Sequence, residues 1–169
     1  RAGIIVGSGS ASFEIIRDLV NKLPIMITPK WLNTKCQPIA IPDVLDFLSK
    51  SLLNPVTYHQ SFDIGGSDII TYKEMLLGFA AAKKLKRWIV TIPIMTPKLS
   101  SYWLYFVTST SYRLASALVS SMKVEVICSD NRINTLLNVT PMSYQQALSR
   151  ALIKVDEDKV ASSWKDSLI

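Results

Sequence analysis

Short apolar runs alternating with longer stretches of helical periodicity predict an α/β fold for this 169-residue chain. Ile4-Ile5-Val6 is wholly apolar and β-branched, as befits a strand covered on both faces, and the Gly-Ser-Gly-Ser stretch after it leads into a helical pattern. Two capping boxes further along mark helix starts by chemistry as well as by periodicity. Only four or five short strands are present, so they describe part of a sheet.

The elements follow in order. After the first strand, Phe13, Ile16 and Val20 fall on one face of a helix whose Arg17 and Asp18 can stay wet. Ile25-Met26-Ile27 and Pro38-Ile39-Ala40-Ile41 read as extended segments around a loop, 28–37, that carries Trp31. Pro42 suits the first turn of a helix through about Leu53, with Val44, Leu45, Leu48 and Leu52 inward. Ser61-Phe62-Asp63-Ile64 alternates as a half-buried strand does, and Gly65-Gly66 permits a turn.

Thr71 and Glu74 form a T-x-x-E capping box that opens a helix with Met75, Leu76, Phe79 and Ala80 inward. Trp88 to Ile92 is a strand, and Pro93 and Pro97 lead to one or two helices over roughly 99–120. Val124 to Ile127 is a last short strand. Asp130 caps a short helix with Ile133, Leu136 and Leu137. Ser143-x-x-Gln146 is the second capping box, opening a helix with Ala147, Leu148, Ala151 and Leu152 inward, and the charged stretch 156–169 reads as a surface helix or linker.

Composition excludes several classes. With 49% hydrophobic and 19% charged residues, the chain can bury a substantial core, so disorder is not its main state. Two cysteines, Cys36 and Cys128, provide neither a C-x-x-C pair nor a disulfide framework, and suit a reducing cytosol. A single histidine, His59, leaves a structural zinc site without ligands, and any His-dependent triad would have to run through it; a surface role fits it better. The opening residues do not form a secretory signal, and the most apolar window, 88–107, is broken by Pro93, Pro97 and Lys98, so no transmembrane segment is expected.

Charge is unevenly placed. The net charge is +6, yet residues 73–123 alone hold eight Lys and Arg against one acid, Glu74. Such a segment could face phosphates, an anionic membrane or an acidic neighbour, and the simplest expectation is a solvated face. Lys83-Lys84-Leu85-Lys86-Arg87-Trp88 joins basic residues to an aromatic, but it lies between a helix and a strand, where an exposed charged turn is ordinary, so nucleic acid is not expected as a partner. The aromatic stretch 100–107 reads first as core.

Gly7-Ser8-Gly9-Ser10-Ala11-Ser12 sits where G-x-G-x-x-G would bring backbone amides to a pyrophosphate, but Ser12 replaces the third glycine and Thr28-Pro29-Lys30 offers no acid for a ribose. A polar Gly/Ser loop at a strand end still makes a ligand-contacting lip. Positions four after Tyr58, Tyr72, Tyr102, Tyr105, Tyr112 and Tyr144 hold Phe62, Leu76, Phe106, Ser109, Ser116 and Leu148, so no Tyr-x-x-x-Lys pair exists in the chain. A P-loop and a G-x-S-x-G elbow are likewise missing from the sequence.

Taken in order, the run from Arg1 to Glu14, Pro29-Lys30-Trp31, Gln37-Pro38-Ile39-Ala40-Ile41-x-Asp43-Val44, Phe62-Asp63-Ile64-Gly65-Gly66 and Thr71-Tyr72-x-Glu74-Met75 closely resembles the C-terminal half of atypical extended short-chain dehydrogenase/reductase proteins. These are the bacterial NAD(P)-binding, NmrA-like or epimerase-like branch. Pro93-x-x-Thr96-Pro97-x-Leu99-Ser100-Ser101-x-Trp103 through Thr108 extends the likeness, which covers residues 1 to about 137.

The resemblance implies the C-terminal part of a Rossmann-like fold over 1–137, with 138–169 a helical extension or linker. It implies that the phosphate loop, the ribose-binding strand and any Tyr/Lys pair lie upstream of Arg1, and that Gly7, Ser8, Gly9 and Ser10 sit toward the nicotinamide and substrate end of a cofactor site. Phe13, Trp31, Gln37 and Trp103 would then line the substrate side. The implied cofactor is NAD or NADP in the full-length parent, with neither cofactor affinity nor turnover expected of this chain alone. The implied partners are a small-molecule substrate and the missing N-terminal Rossmann half, with self-association through an exposed sheet edge, in the cytoplasm. The two functions in view are an NAD(P)-dependent oxidoreductase or nucleoside-diphosphate-sugar epimerase, and a non-catalytic NAD(P)-sensing or assembly protein of the NmrA-like or complex I accessory kind.

Overall fold

A computed structural model of the chain describes residues 1–92, 117 and 120–156. Strands alternate with helices: β1 (Ile5–Val6), α1 (Ala11–Lys22), β2 (Ile25–Pro29), β3 (Lys35–Cys36), β4 (Ile39–Ala40), α2 (Ile41–Ser51), β5 (Ile70–Thr71), α3 (Tyr72–Ala82) and β6 (Trp88–Ile92). The C-terminal region is helical, with α4 (Arg132–Leu136) and α5 (Tyr144–Asp156). The expected α/β class is therefore observed. Helices expected within 99–120, the aromatic stretch 100–107 and the charged end after Asp156 lie outside the described residues, apart from 117 and 120.

The chain divides into two compact units, the first comprising Arg1–Ser10, Cys36–Ile69 and Val126–Ile169, the second Ala11–Lys35 and Ile70–Glu125. In the first, β1 pairs in parallel with β4, Ile5 opposite Ile39 and Val6 opposite Ala40. The stretches expected as strands at 61–64 and 124–127 shrink to single bridges, Ala2 with Ile64 and Cys36 with Val126. Ile39, Phe47, Ile133, Leu137 and Val139 form its core, with Ile5, Val44, Phe62 and Ile64 packed against it. Helix α5 lies against β4 and β1 through its buried Ala147, Leu148, Ala151 and Leu152, as its periodicity predicts. Its capping box is complete, Ser143 N donating to Gln146 Oε1 at 2.9 Å and Gln146 N to Ser143 Oγ at 3.2 Å.

In the second unit β2 and β6 run parallel, from Ile25 opposite Trp88 to Pro29 opposite Ile92, and α1 packs on α3. Phe13 meets Phe79 edge-on, ring centroids 5.7 Å apart at 62°. Helix α3 carries the expected capping box, Glu74 N donating to Thr71 Oγ1 at 3.1 Å and Thr71 N to Glu74 Oε2 at 2.7 Å. Its inward stripe, Met75, Leu76, Phe79 and Ala80, is buried. At its other end Lys84 takes φ 56°, Lys84 N donates to Ala81 O and Leu85 N to Ala80 O, which is a Schellman closure made without glycine. Asn138 closes α4 the same way at φ 48°.

Two faces differ from expectation. In α1 the buried residues are Phe13, Glu14, Ile15, Leu19 and Val20, so the inward face is rotated toward Ile15 and Leu19 and leaves Ile16 half-buried. In α2 the expected inward residues Leu45, Leu48 and Leu52 are 60%, 61% and 73% exposed, whereas Asp43 and Phe47 are buried and Val44 half-buried. The helix has two apolar faces, and the smaller one, anchored by Phe47, packs on the core.

Candidate functional site

The candidate residues fall into both units. In the first, Gly7 to Ser10 make a β-turn: Ser10 N donates to Gly7 O at 3.1 Å, and Gly9, third in the turn, has φ 86°, the conformation that type II turns require of a glycine. A Cβ on Gly7 would stand 2.4 Å from the Ile41 side chain, so this position needs glycine for close packing. Ser10 Oγ donates to Ile5 O at 3.1 Å, tying the turn to the strand end.

Gln37 is the hub of the first unit. It is only 6% exposed, and its amide is used at both ends: Nε2 donates to Gly66 O at 2.8 Å, while Oε1 accepts Cys128 N at 3.0 Å. Its own N–H donates to Val126 O at 2.9 Å. A Cβ on Gly65 would lie 2.6 Å from Gln37 Cδ and 2.8 Å from Cys128 Sγ, and one on Gly66 2.2 Å from Pro38 O. The Gly65-Gly66 pair thus serves close approach, with no positive φ at either residue. Burial, reinforced by the Asp63 carboxylate, pushes the Cys128 thiol up, which disfavours a thiolate nucleophile there.

Sequence reasoning did not assign a task to Asp43. Its Oδ2 accepts Met142 N at 2.8 Å while the residue is 6% exposed. Burial pushes its carboxyl up, against the pull of the Met142 N–H and the Arg150 charge. Burial likewise raises the Tyr144 phenol well above its ordinary range, so it is no base at neutral pH. The signal for Asp43 was an acid in the first turn of the helix, one position before the apolar pair Val44-Leu45. Asp63, by contrast, holds its carboxyl below the usual range by accepting Ser129 Oγ at 2.6 Å and Ser129 N at 3.1 Å, with Arg1 beside it at 3.0 Å.

In the second unit Phe13 is 2% exposed and is held in the core by Phe79. Trp31 sits half-buried in the 3-10 turn Lys30–Asn33, and its buried Nε1 has no hydrogen-bond partner among the described residues. The same holds for the hydroxyls of Thr28 and Thr91, which are opposite one another in the β2–β6 ladder. A buried donor without a partner is what a bound polar group or water satisfies. Trp103 lies outside the described residues. His59 is exposed at φ 53°, and among the described residues no group of His, Cys, Asp and Glu could hold a metal ion.

The turn departs from a dinucleotide fingerprint in two respects. Ser10, the last residue before α1, turns both its N–H and its hydroxyl back into the loop, and no acid ends β2 to take a ribose.

No protein-family model matches the sequence, and no curated protein matches it. Solved structures do match. The fold is similar to dTDP-4-dehydrorhamnose reductase from Bacillus anthracis in complex with NADP, at TM-score 0.59 and 11% identity over 91% of this chain and 47% of that one. It is similar to a nucleoside-diphosphate-sugar epimerase from Staphylococcus aureus, at TM-score 0.61 and 15% identity over 85% and 50%. It is similar as well to an NADPH-dependent quinone oxidoreductase from Escherichia coli, at TM-score 0.64 and 10% identity over 83% and 52%. The chain has a partial short-chain dehydrogenase/reductase-like, Rossmann-like fold, and spans about half the length of the structures that it matches.

Proposed function

We propose that the chain is the substrate-side part of an NAD(P)-dependent oxidoreductase or nucleoside-diphosphate-sugar epimerase-like protein, lacking the dinucleotide phosphate loop. The observation that carries the reading is the coverage: most of this chain, and about half of each matched reductase or epimerase, share one fold. Under this reading a polypeptide upstream of Arg1 supplies the phosphate loop and binds NAD or NADP. Under the same reading Gly7, Ser8, Gly9 and Ser10 are the cofactor-side residues and Phe13, Trp31, Gln37 and Trp103 the substrate-side ones, with a small molecule as substrate and the cytoplasm as compartment. Among the described residues no helix is long and apolar enough to cross a membrane.

Under this reading the upstream half covers an apolar face of this chain. Ile41, Leu45 and Leu48 form one exposed apolar face of α2, and Leu52, the residue just after the helix, is exposed as well. Replacing Leu48 with Asp tests the pairing. In the chain alone the change leaves the melting temperature nearly unaltered, because the side chain is exposed; in a chain extended upstream it lowers that temperature by several degrees. Equal small effects in both would refute the pairing. The isolated chain, with its sheet edges unmet, self-associates in light scattering under this reading, and a strictly monomeric species would count against it.

The second reading, a non-catalytic NAD(P)-sensing or assembly protein, differs upstream. A Tyr-x-x-x-Lys pair there favours the enzyme; its lack, together with a partner held by the basic stretch 73–123, favours the sensor.

A further inference from the structure

The basic charge and an open apolar face belong to the same unit. The second unit carries twelve Lys and Arg against four acids, while the first carries seven against nine. In its parallel ladder Met26 and Thr28 of β2 are buried on one side, and Ile25 and Ile27 point to the other, 59% and 50% exposed. Their register partners on β6 are Trp88 and Val90, 71% and 52% exposed. Four large apolar side chains therefore share one face, with the indole the most exposed of them.

Cations flank this patch. Lys84 and Lys86 are exposed just before Trp88 and make no ion pair among the described residues; Lys30 is exposed at the end of β2, and Lys22, exposed ahead of β2, is paired with Asp18 at 3.2 Å. Arg87 Nε donates to Val20 O at 2.5 Å, so the end of α1 that carries Lys22 adjoins the start of β6.

We infer that this face docks peripherally on an anionic lipid surface. Trp88 and its aliphatic neighbours enter the headgroup boundary while the surrounding lysines meet lipid phosphates and carboxylates, the lysine stems lying along the apolar rim. The combination discriminates against nucleic acid. A single Trp can stack on a base, but Ile25, Ile27 and Val90 match hydrocarbon and have no stacking surface. The inference concerns the exposed face of the β2–β6 ladder and stands or falls independently of the proposed function.

The test is co-sedimentation of the full chain with phosphatidylcholine vesicles, with and without phosphatidylserine, while tryptophan emission is followed. Expected are binding that requires phosphatidylserine and weakens with salt, and a blue shift on binding that Trp88→Phe removes. Trp88→Ala, and separately Lys84→Glu combined with Lys86→Glu, each lower the vesicle partition coefficient by about tenfold. All of these side chains are on the surface, and far-UV circular dichroism checks that the variants remain folded. Failure to bind, equal binding to phosphatidylcholine alone, or full binding by Trp88→Ala would overturn the inference. So would a Trp88-dependent complex with single-stranded oligonucleotide, or a Trp88-dependent dimer, in a chain that ignores vesicles.

Discussion

The side-chain oxygen of Gln37 accepts the backbone N–H of Cys128 at 3.0 Å, joining segments 91 positions apart in the sequence. With Nε2 on Gly66 O, one buried amide satisfies two backbone groups that would otherwise lack partners. Gln37→Leu keeps the bulk and removes both bonds. It is expected to lower unfolding stability by about 2 kcal/mol or more, since each buried orphan costs about 1–3 kcal/mol. Urea denaturation measures it, and a loss within experimental error would show that the amide is dispensable.

Asp43 gives a pH dependence of opposite sense to the common carboxylate. Burial raises its folded-state pKa above the unfolded value, so its stabilising effect is full below the unfolded pKa and disappears as pH rises through the folded one. Asp43→Asn keeps an oxygen for Met142 N and removes the titration. Its melting temperature, compared with the parent's from about pH 3.5 to pH 7, should gain on the parent as pH rises. A difference that stays constant over that range would contradict this.

At α3 the sign reverses. The Thr71 N–H and hydroxyl hold the Glu74 carboxyl below the usual range, so its contribution exists above the unfolded pKa and is lost as pH falls through the folded one. Thr71→Ala should cost about 1 kcal/mol at neutral pH. In acid, where Glu74 is protonated, the cost should shrink, which thermal melts at the two pH values compare directly.

Lys84 occupies a left-handed position that glycine adopts freely. Lys84→Gly relieves the Cβ clash and retains the Schellman bonds from residues 84 and 85. It is expected to raise stability by about 0.5–1 kcal/mol. A decrease in the denaturation midpoint would mean that the lysine side chain stabilises this closure more than its backbone strains it.

Legibility followed the range of the forces involved. The capping boxes at Thr71 and Ser143 are local chemistry and were readable, as were the stripes of α3 and α5. Helix α2 was misread because periodicity finds an apolar face without saying what meets it, and Leu45, Leu48 and Leu52 outnumber Phe47. Segments 61–64 and 124–127 alternate like strands but obtain only one bridge each, since strand extent depends on a partner distant in sequence. Nothing local marks Gln37 as a two-ended clamp, and Gly65-Gly66 looked like a turn because close packing and turning both select glycine. The orphan hydroxyls of Thr28 and Thr91 appear only once β2 and β6 are aligned.

The central proposal is that this chain, whose fold matches about half of each compared reductase or epimerase, depends on a dinucleotide phosphate loop outside it. Calorimetric titration of NADH and NADPH into the chain alone, and into a chain extended upstream of Arg1, tests it most directly. Binding heat is expected only for the extended chain. Tight binding by the chain alone would contradict it and make the Gly7 to Ser10 turn a phosphate loop.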